Sequence, residues 1–175
     1  MIDRTALDTL SLAELEEASG ELHRRIGVAL RRAGEAKADD RDAEGQSPRR
    51  RVAAYAVMLE LTAATFASVA ADTAPPAGRY DLHPAAILAA MYATPTIPAL
   101  LSRLEQDRRL IASLARGLEP RLDETNETAW GEVTLRHLLL DAAIAEAAHC
   151  ALALERHSAN LDATAEGTEA SGAEA

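Results

Sequence analysis

The chain has 175 residues and a formal net charge of −10, and apolar residues make up 48% of it while aromatic residues make up only 3%. A chain of this length forms one domain that buries about 70% of its unfolded surface. The acidic balance argues against direct binding of DNA or RNA, because such binding needs a basic face that displaces counterions. The abundance of alanine favours helices, since alanine is the strongest helix former and adds little to a sheet face.

Three features bear on the compartment. Cys150 is the single cysteine of the chain, and without a partner it forms no intramolecular disulfide, which suits a reducing cytoplasm. The segment MIDRTALDTL holds acids and no apolar run of the kind that a secretory signal has. The apolar segment 52–71 contains Glu60 near its centre, where a charge is costly in lipid. We therefore expect a soluble, cytoplasmic protein without a membrane span.

The first two helices have clear starts. Ser11 and Glu14 have the spacing of a capping box, and a largely apolar stripe at steps of three and four residues follows it, which predicts a helix from about 11 to 37. Ser47 and Pro48 start the second helix, with serine as the N-cap and proline at the first helical position. This helix is predicted to run to about residue 72.

The third helix is predicted to be interrupted. His83 and Pro84 open it, and Pro95 and Pro98 break it, because a proline removes a backbone hydrogen bond and clashes with the preceding turn. The pattern predicts a short helix at about 84–93 and a longer one at about 97–117.

The fourth helix is predicted from about Gly131 to Asn160, after a loop that includes the segment DETNET. Residues 161–175 are acidic and rich in small residues, which is typical of a disordered tail. The simplest way to bury four one-sided apolar stripes is an antiparallel four-helix bundle. The prediction is therefore an all-α domain at 1–160 with an interrupted third helix, followed by an acidic tail.

Polar residues interrupt the apolar arc of the fourth helix. His149 falls near the middle of that arc at 100° per residue, and Glu146 precedes it in a Glu-x-x-His pair, which directs two metal ligands the same way in di-iron bundles. Asp141 lies at the other edge. The arc itself is formed by Leu135, Leu138, Leu139, Ala142, Ala145, His149, Leu152 and Ala153.

Glu60 is the one charged residue in the apolar part of the second helix. A buried carboxylate is costly unless it is paired, coordinated or protonated. The second and fourth helices of an up-down bundle run parallel, so Glu60 and His149 are expected at similar depth, joined by a hydrogen bond or a metal. The predicted metal ligands are His149, Glu146 and Glu60, and Tyr55 and Asp141 are predicted to line the pocket.

Structural interpretations stand beside these functional ones. A lone histidine on an apolar stripe is most often a satisfied core residue, and a lone glutamate in an apolar helix can lie at a dimer seam. A complete di-iron site requires two Glu-x-x-His motifs, and the sequence has no second copy. Cys150 has the pattern of a small buried hydrophobe rather than a nucleophile. His23 flanks the stripe of the first helix and is expected at the surface or its boundary.

The segments TPTIPALLSRLEQDRRLIASLARGLEPRL and WGEVTLRHLLLDAAIAEAAHCALALERH carry a family resemblance. They resemble the last two helices of the DinB/YfiT-like four-helix proteins, in which a helix ending in LL-x-GL precedes a (F/W)GE-x-TLR-x-LL entry and a His-x-x-x-His pair. The resemblance covers roughly residues 50–157, and GEVTLRHLL is its most specific part.

The resemblance implies a divalent metal held by three histidines, one on the second helix and two on the fourth, and thiol-dependent transferase or isomerase chemistry. His149 matches the last of these ligands. The earlier ligand of the fourth helix falls on Ala145, and the ligand of the second helix falls near Tyr55 or Glu60. The chain thus lacks the standard triad, so either Glu60, Glu146 or Asp141 rebuilds the site or the metal is lost.

Three functions remain open at this point. The first is a DinB-like bundle with a divergent or lost site for Zn, Mn, Fe or Ni, as a relative of metal-dependent, thiol-type transferases. The second is a ferritin-like bundle that oxidises a metal at Glu60, Glu146 and His149. The third is a non-catalytic, dimeric interaction module. The expected partners are a second copy of the chain and a small molecule of unspecified class, with neither nucleic acid nor membrane.

Overall fold

Helices make up most of the chain in the computed structural model, which describes the backbone of residues 10–172 and the side chains of residues 10–159. The helices are α1 (Leu12–Lys37), α2 (Pro48–Ala70), α3 (Pro84–Ala93), α4 (Ile97–Gly117), α5 (Leu135–Leu140) and α6 (Ala147–Gly172). A π-helical segment, Asp141–Glu146, joins α5 to α6, and short 3-10 turns lie at Tyr80–Leu82 and Glu119–Arg121. An antiparallel hairpin of β1 (Thr125–Thr128) and β2 (Gly131–Thr134) precedes α5.

The helix starts follow local capping chemistry, as the sequence predicts. The Ser11 side chain accepts from the Glu14 backbone N–H at 3.3 Å, and the Glu14 carboxylate accepts from the Ser11 backbone N–H at 2.8 Å. Ser47 caps α2 in the same way, by accepting from the Arg50 backbone N–H. Each cap satisfies a donor that the first helical turn leaves free.

The break in the third helix is also confirmed. Helix α3 ends at Ala93 and α4 begins at Ile97, and the two axes differ by 113°. Thr94 donates to the Ala90 carbonyl at 2.7 Å, and Thr96 caps α4 by accepting from the Ala99 backbone N–H. The two threonines thus add side-chain hydrogen bonds to the backbone at the end of α3 and at the start of α4.

The β-hairpin was not predicted. The sequence pattern predicted that residues 131–134 start the last helix and that DETNET is a loop. In the structure residues 131–134 form β2, and the TNET part of DETNET forms β1. Thr and Val favour strands, and Gly131 takes a φ of +87°, which favours glycine. Thr134 then caps α5 by accepting from the His137 backbone N–H, so the last helix begins four residues later than predicted.

The core lies where α2 packs against α3 and α4 and where α1 packs against α4 and α6. Leu, Ile, Val and Ala dominate it, and Phe66 is the largest of its fully buried side chains. The last helix continues to Gly172. The sequence predicts a disordered tail at 161–175; the side chains of that stretch and residues 173–175 lie outside the described residues, and the tail stays a prediction.

Two helices meet the length and composition that a membrane span requires, Pro48–Ala70 and Leu135–Ala159, and the bent pair of α3 and α4 would make a third. Within the described chain, 67% and 56% of the two apolar windows are buried against other parts of the protein. This packing accounts for their apolar character, and the absence of a membrane partner stays a prediction.

Candidate functional site

A cleft of about 390 Å³ opens between α2, the 3-10 turn at Tyr80–Leu82 and the start of α6. Its size falls in the range of small-molecule sites. Three of the five predicted site residues line it, namely Tyr55, Glu146 and His149. Apolar side chains complete one wall: Met58, Leu82, Ile87 and Ala153.

Tyr55 forms the inner wall of this cleft. Its hydroxyl donates to the Ala142 carbonyl in the π-helical segment at 3.1 Å, and its ring lies 5.5 Å from the ring of His23. Burial raises the pKa of Tyr55 well above its ordinary value, and the side chain is 5% exposed. The Tyr55 hydroxyl therefore stays protonated at neutral pH, and the side chain joins the last helix to α2 and α1 as a neutral group.

His149 lies on the outside of the cleft, not in the core. Its side chain is 74% exposed, and its Nδ1 is 3.9 Å from the Glu146 Oε1, which is beyond hydrogen-bond distance. The prediction that His149 lies in the buried arc of the last helix is therefore wrong. The arrangement leaves an imidazole and a carboxylate open to solvent on one face.

The π-helical segment explains the displacement of His149. The predicted arc is confirmed before that segment, where Leu135, Leu138 and Leu139 are buried. A π turn holds about one residue more than an α turn, so all later residues rotate by roughly 100° relative to a continuous α-helix. The residues buried after the segment are Ala147, Cys150, Ala151 and Leu154.

Glu60 faces α4 rather than α6. Its carboxylate accepts from the Arg103 Nε at 2.7 Å and also from the Arg103 Nη2. Burial and the neighbouring Glu60 raise the pKa of Asp107 to about 6, and burial together with Glu60 raises the pKa of Tyr80. The predicted hydrogen bond between Glu60 and His149 is not formed, because an arginine of α4 supplies the charge partner of Glu60.

Asp141 also has a neighbour other than the cleft residues. It lies in the π-helical segment, and its Oδ2 is 3.2 Å from the His137 Nε2, one turn earlier on the last helix. This i, i+4 pair places Asp141 on a partly exposed side of the helix. Asp141 was predicted to line the pocket with Tyr55, but it is not among the residues that line the cleft.

The two arginines of the cleft are already neutralised. Arg79 makes two hydrogen bonds to Asp81, at 2.8 and 2.7 Å, and its guanidinium lies 4.8 Å from the centre of the Trp130 ring. Arg51 donates to the carboxylates of Asp42 and Glu44 from its Nη2. Carboxylates outnumber guanidinium groups here once Glu146 is included, so the cleft does not favour an anion.

Cys150 lines the cleft with a buried thiol. Burial raises the pKa of its thiol to about 12, so the reactive thiolate is scarce at neutral pH. The expectation that Cys150 acts as a small buried hydrophobe agrees with its exposure of 7%.

The described residues do not fit the metal site that the family resemblance implies. Among them, no group of three His, Cys, Asp or Glu side chains lies close enough to hold one ion. Glu146 and His149 supply two donors, and Glu60, the third predicted ligand, is paired with Arg103. Structural and catalytic zinc sites use three or four protein ligands, so this pair falls short of such a set.

The interior contains a histidine that the sequence interpretation placed at the surface. His23 is 7% exposed, and its Nδ1 lies 2.8 Å from the Ser19 carbonyl oxygen. Burial lowers the pKa of His23 to about 4. The signal was present in the sequence, since His23 follows Ser19 by four residues and precedes Ile26 by three, both of which belong to the apolar stripe.

The Arg79–Asp81 pair was also missed. Two residues of opposite charge in a Pro/Gly-rich loop carry no periodic signal, and their role depends on the aromatic ring of Trp130 in the distant hairpin.

Comparison with protein-family models, with curated proteins and with solved structures finds no match to this chain. The site must therefore be interpreted from its own chemistry.

Proposed function

We propose that this chain is a DinB-like four-helix bundle whose cleft binds a small organic cation, without metal-dependent transferase activity. In this arrangement α3 and α4 together count as the third helix, and α5, the π-helical segment and α6 as the fourth. The GEVTLRHLL segment supports the family assignment. The exposed Glu146 carboxylate in a cleft whose arginines are already paired carries the proposal for the ligand.

The charge balance of the cleft supports a cation. Glu146 is half exposed, and its one ion pair among the described residues is the long contact with His149. Arg51 and Arg79 each hold carboxylates at hydrogen-bond distance, so an incoming anion would have to displace them. An ammonium group placed at Glu146 gains a charge-assisted hydrogen bond without breaking either pair.

The apolar wall supports a hydrocarbon body on the ligand. Met58, Leu82 and Ile87 lie on the side of the cleft formed by α2, the 3-10 turn and α3. Ligand sites in proteins are mostly apolar with a few placed polar groups, and burial of each CH₂ contributes about 0.8 kcal/mol. An alkylamine with a short chain therefore fits both parts of the cleft.

Isothermal titration calorimetry with hexylamine and hexanoate tests this proposal, because the two probes share one chain and differ in charge. We expect hexylamine to bind and hexanoate not to bind. Glu146→Gln should weaken hexylamine binding at least about tenfold, or 1.4 kcal/mol, since the charge partner is lost. Glu132→Gln on the exposed hairpin is the matched control and should leave binding unchanged.

Two results would contradict the proposal. One is binding of hexanoate as tight as that of hexylamine. The other is stoichiometric Zn²⁺ in elemental analysis of the purified protein that His149→Ala removes, which would favour the metal site implied by the family resemblance. Oxygen uptake on addition of Fe(II), abolished by Glu60→Gln, would instead favour the ferritin-like alternative.

A further inference from the structure

Helix α3 exposes an apolar face. Of its ten residues only Ile87 and Ala90 are buried. Tyr92 is 83% exposed and Leu88 is 43% exposed, and Leu82, just before the helix, is 67% exposed. The exposed residues of the helix are Pro84, Ala85, Leu88, Ala89, Tyr92 and Ala93.

This face lies in a stretch without charged side chains. Residues 82–102 contain no Asp, Glu, Lys or Arg, although such residues make up 26% of the chain. Monomeric proteins rarely leave a contiguous apolar patch uncovered, and such patches mark interfaces. The exposed face of α3 has the composition of a contact surface.

We propose that this face is covered by the same face of a second copy of the chain, in a two-fold symmetric dimer. Pro84, Leu88 and Tyr92 form one row along the helix at steps of four residues, and the row beside it consists of three alanines, Ala85, Ala89 and Ala93. The bulky row of one copy fits the shallow row of the other. Rows at i±4 that interdigitate in this way cross at about −50°.

Charge favours a second copy over other occupants. The chain has a formal net charge of −10, so two copies repel each other except where their surfaces carry no charge. In a two-fold contact the same patch of both copies meets, so a face without charged residues meets no like charge there. An anionic membrane would require free Lys or Arg beside the face, and the flanking arginines, Arg79 and Arg103, are paired with Asp81 and Glu60.

The dimer face adjoins the proposed ligand site but does not depend on it. Leu82 and Ile87 line the cleft, and Leu88 lies on the outer face of the same helix. Loss of ligand binding in the Glu146→Gln variant therefore leaves the dimer intact. Failure of one proposal is thus distinguishable from failure of the other.

Sedimentation equilibrium of the full chain tests the dimer, with charge substitutions on two exposed surfaces. Wild-type protein is expected to be dimeric. Leu88→Glu and Tyr92→Glu place two like charges near the two-fold axis and should raise the dissociation constant at least about 100-fold, or 2.7 kcal/mol. Val28→Glu and Leu110→Glu are the matched controls, since these side chains are 51% and 49% exposed elsewhere, and they should stay dimeric.

A second measurement works even if a charged variant fails to fold. Ala89→Cys places a thiol on the proposed contact, and the buried Cys150 does not compete for oxidant. Treatment with diamide should cross-link Ala89→Cys into a covalent dimer, whereas Val28→Cys should stay uncross-linked.

The proposal is overturned by a monomeric wild-type chain, by a Leu88→Glu variant that dimerises as tightly as the wild type, or by equal cross-linking of both cysteine variants. Co-sedimentation with phosphatidylglycerol vesicles that Tyr92→Glu abolishes would assign the face to lipid instead and would equally reject the dimer.

Discussion

The surroundings of His23 and of His149 differ in every physical respect, although both histidines lie beside long apolar helices. His23 is 7% exposed, touches the ring of Tyr55 and has a pKa lowered to about 4 by burial. The His149 side chain is 74% exposed, and its neighbour Glu146 is half exposed. The first environment stabilises the fold, and the second leaves polar groups available to a ligand.

The difference shows that position along a helix does not decide burial by itself. Helix α1 keeps one buried stripe from Leu12 to Leu30, and His23 lies within it. The last helix changes its phase at Asp141–Glu146, so the buried side moves to Cys150 and His149 turns outward. π-helical segments occur frequently at functional sites, and here Glu146 and His149, at the end of the segment and just after it, are exposed in the cleft.

The largest expected effect comes from Tyr55, which connects the two regions. Tyr55→Ala removes the ring contact with His23 and the bond to the Ala142 carbonyl, and it should lower the free energy of unfolding by about 3–5 kcal/mol. Tyr55→Phe keeps the ring and should cost about 1 kcal/mol. Urea unfolding measures both, with the exposed Leu110→Ala as control. Equal losses in the two Tyr55 variants would show that the ring contact is unimportant.

The pH dependence of stability should separate the two histidines. The pKa of His23 is about 4 in the folded state and about 6.5 when unfolded, so between these values the unfolded chain binds more protons. The free energy of unfolding should therefore fall as pH falls from 6.5 to 4, by about 3 kcal/mol for this group. His23→Gln should remove that part of the slope, and His149→Gln should keep it.

Titration of Asp107 changes the free energy of unfolding in the opposite direction to titration of His23 over part of this pH range. Burial raises its pKa to about 6, so its contribution to stability is lost as pH rises through that value and regained as pH falls. The informative quantity is therefore the difference between wild type and His23→Gln at each pH, in which the Asp107 contribution cancels. An unchanged slope in His23→Gln would mean that His23 is not buried.

Double-mutant cycles that measure the free energy of unfolding show whether Glu60 interacts with Arg103 or with His149. Glu60→Gln and Arg103→Met should couple by about 1 kcal/mol, because the two charges are partly shielded from water. Glu60→Gln and His149→Gln should be additive within about 0.3 kcal/mol. Strong coupling of the second pair would restore the direct contact that the sequence suggested.

The smallest effect is expected at His149 itself. His149→Gln should change the free energy of unfolding by less than about 0.5 kcal/mol, as is usual for exposed side chains without a structural partner. The same variant tests the cleft, since a ligand that contacts the imidazole would bind less tightly. A loss of stability above 1 kcal/mol would place His149 in the core, contrary to its observed exposure.

Local chemistry allowed much of the secondary structure to be predicted from the sequence. Ser11 with Glu14, Ser47 with Pro48, and the prolines after Ala93 act within one helical turn. Caps and breaks are therefore readable without knowledge of distant residues. Of the five predicted site residues, Tyr55, Glu146 and His149 line one cleft, whereas Glu60 and Asp141 have other partners.

Tertiary structure alone decided which side of the last helix is buried and which partner Glu60 takes. The π-helical segment changes the phase of the apolar stripe, and the sequence DAAIAE gives no local signal for it. No local pattern links Arg103 to Glu60, yet packing of α4 against α2 brings the two side chains together. Composition and caps thus determined the helices, while helix phase and charge pairing, which depend on residues far apart in sequence, determined the site.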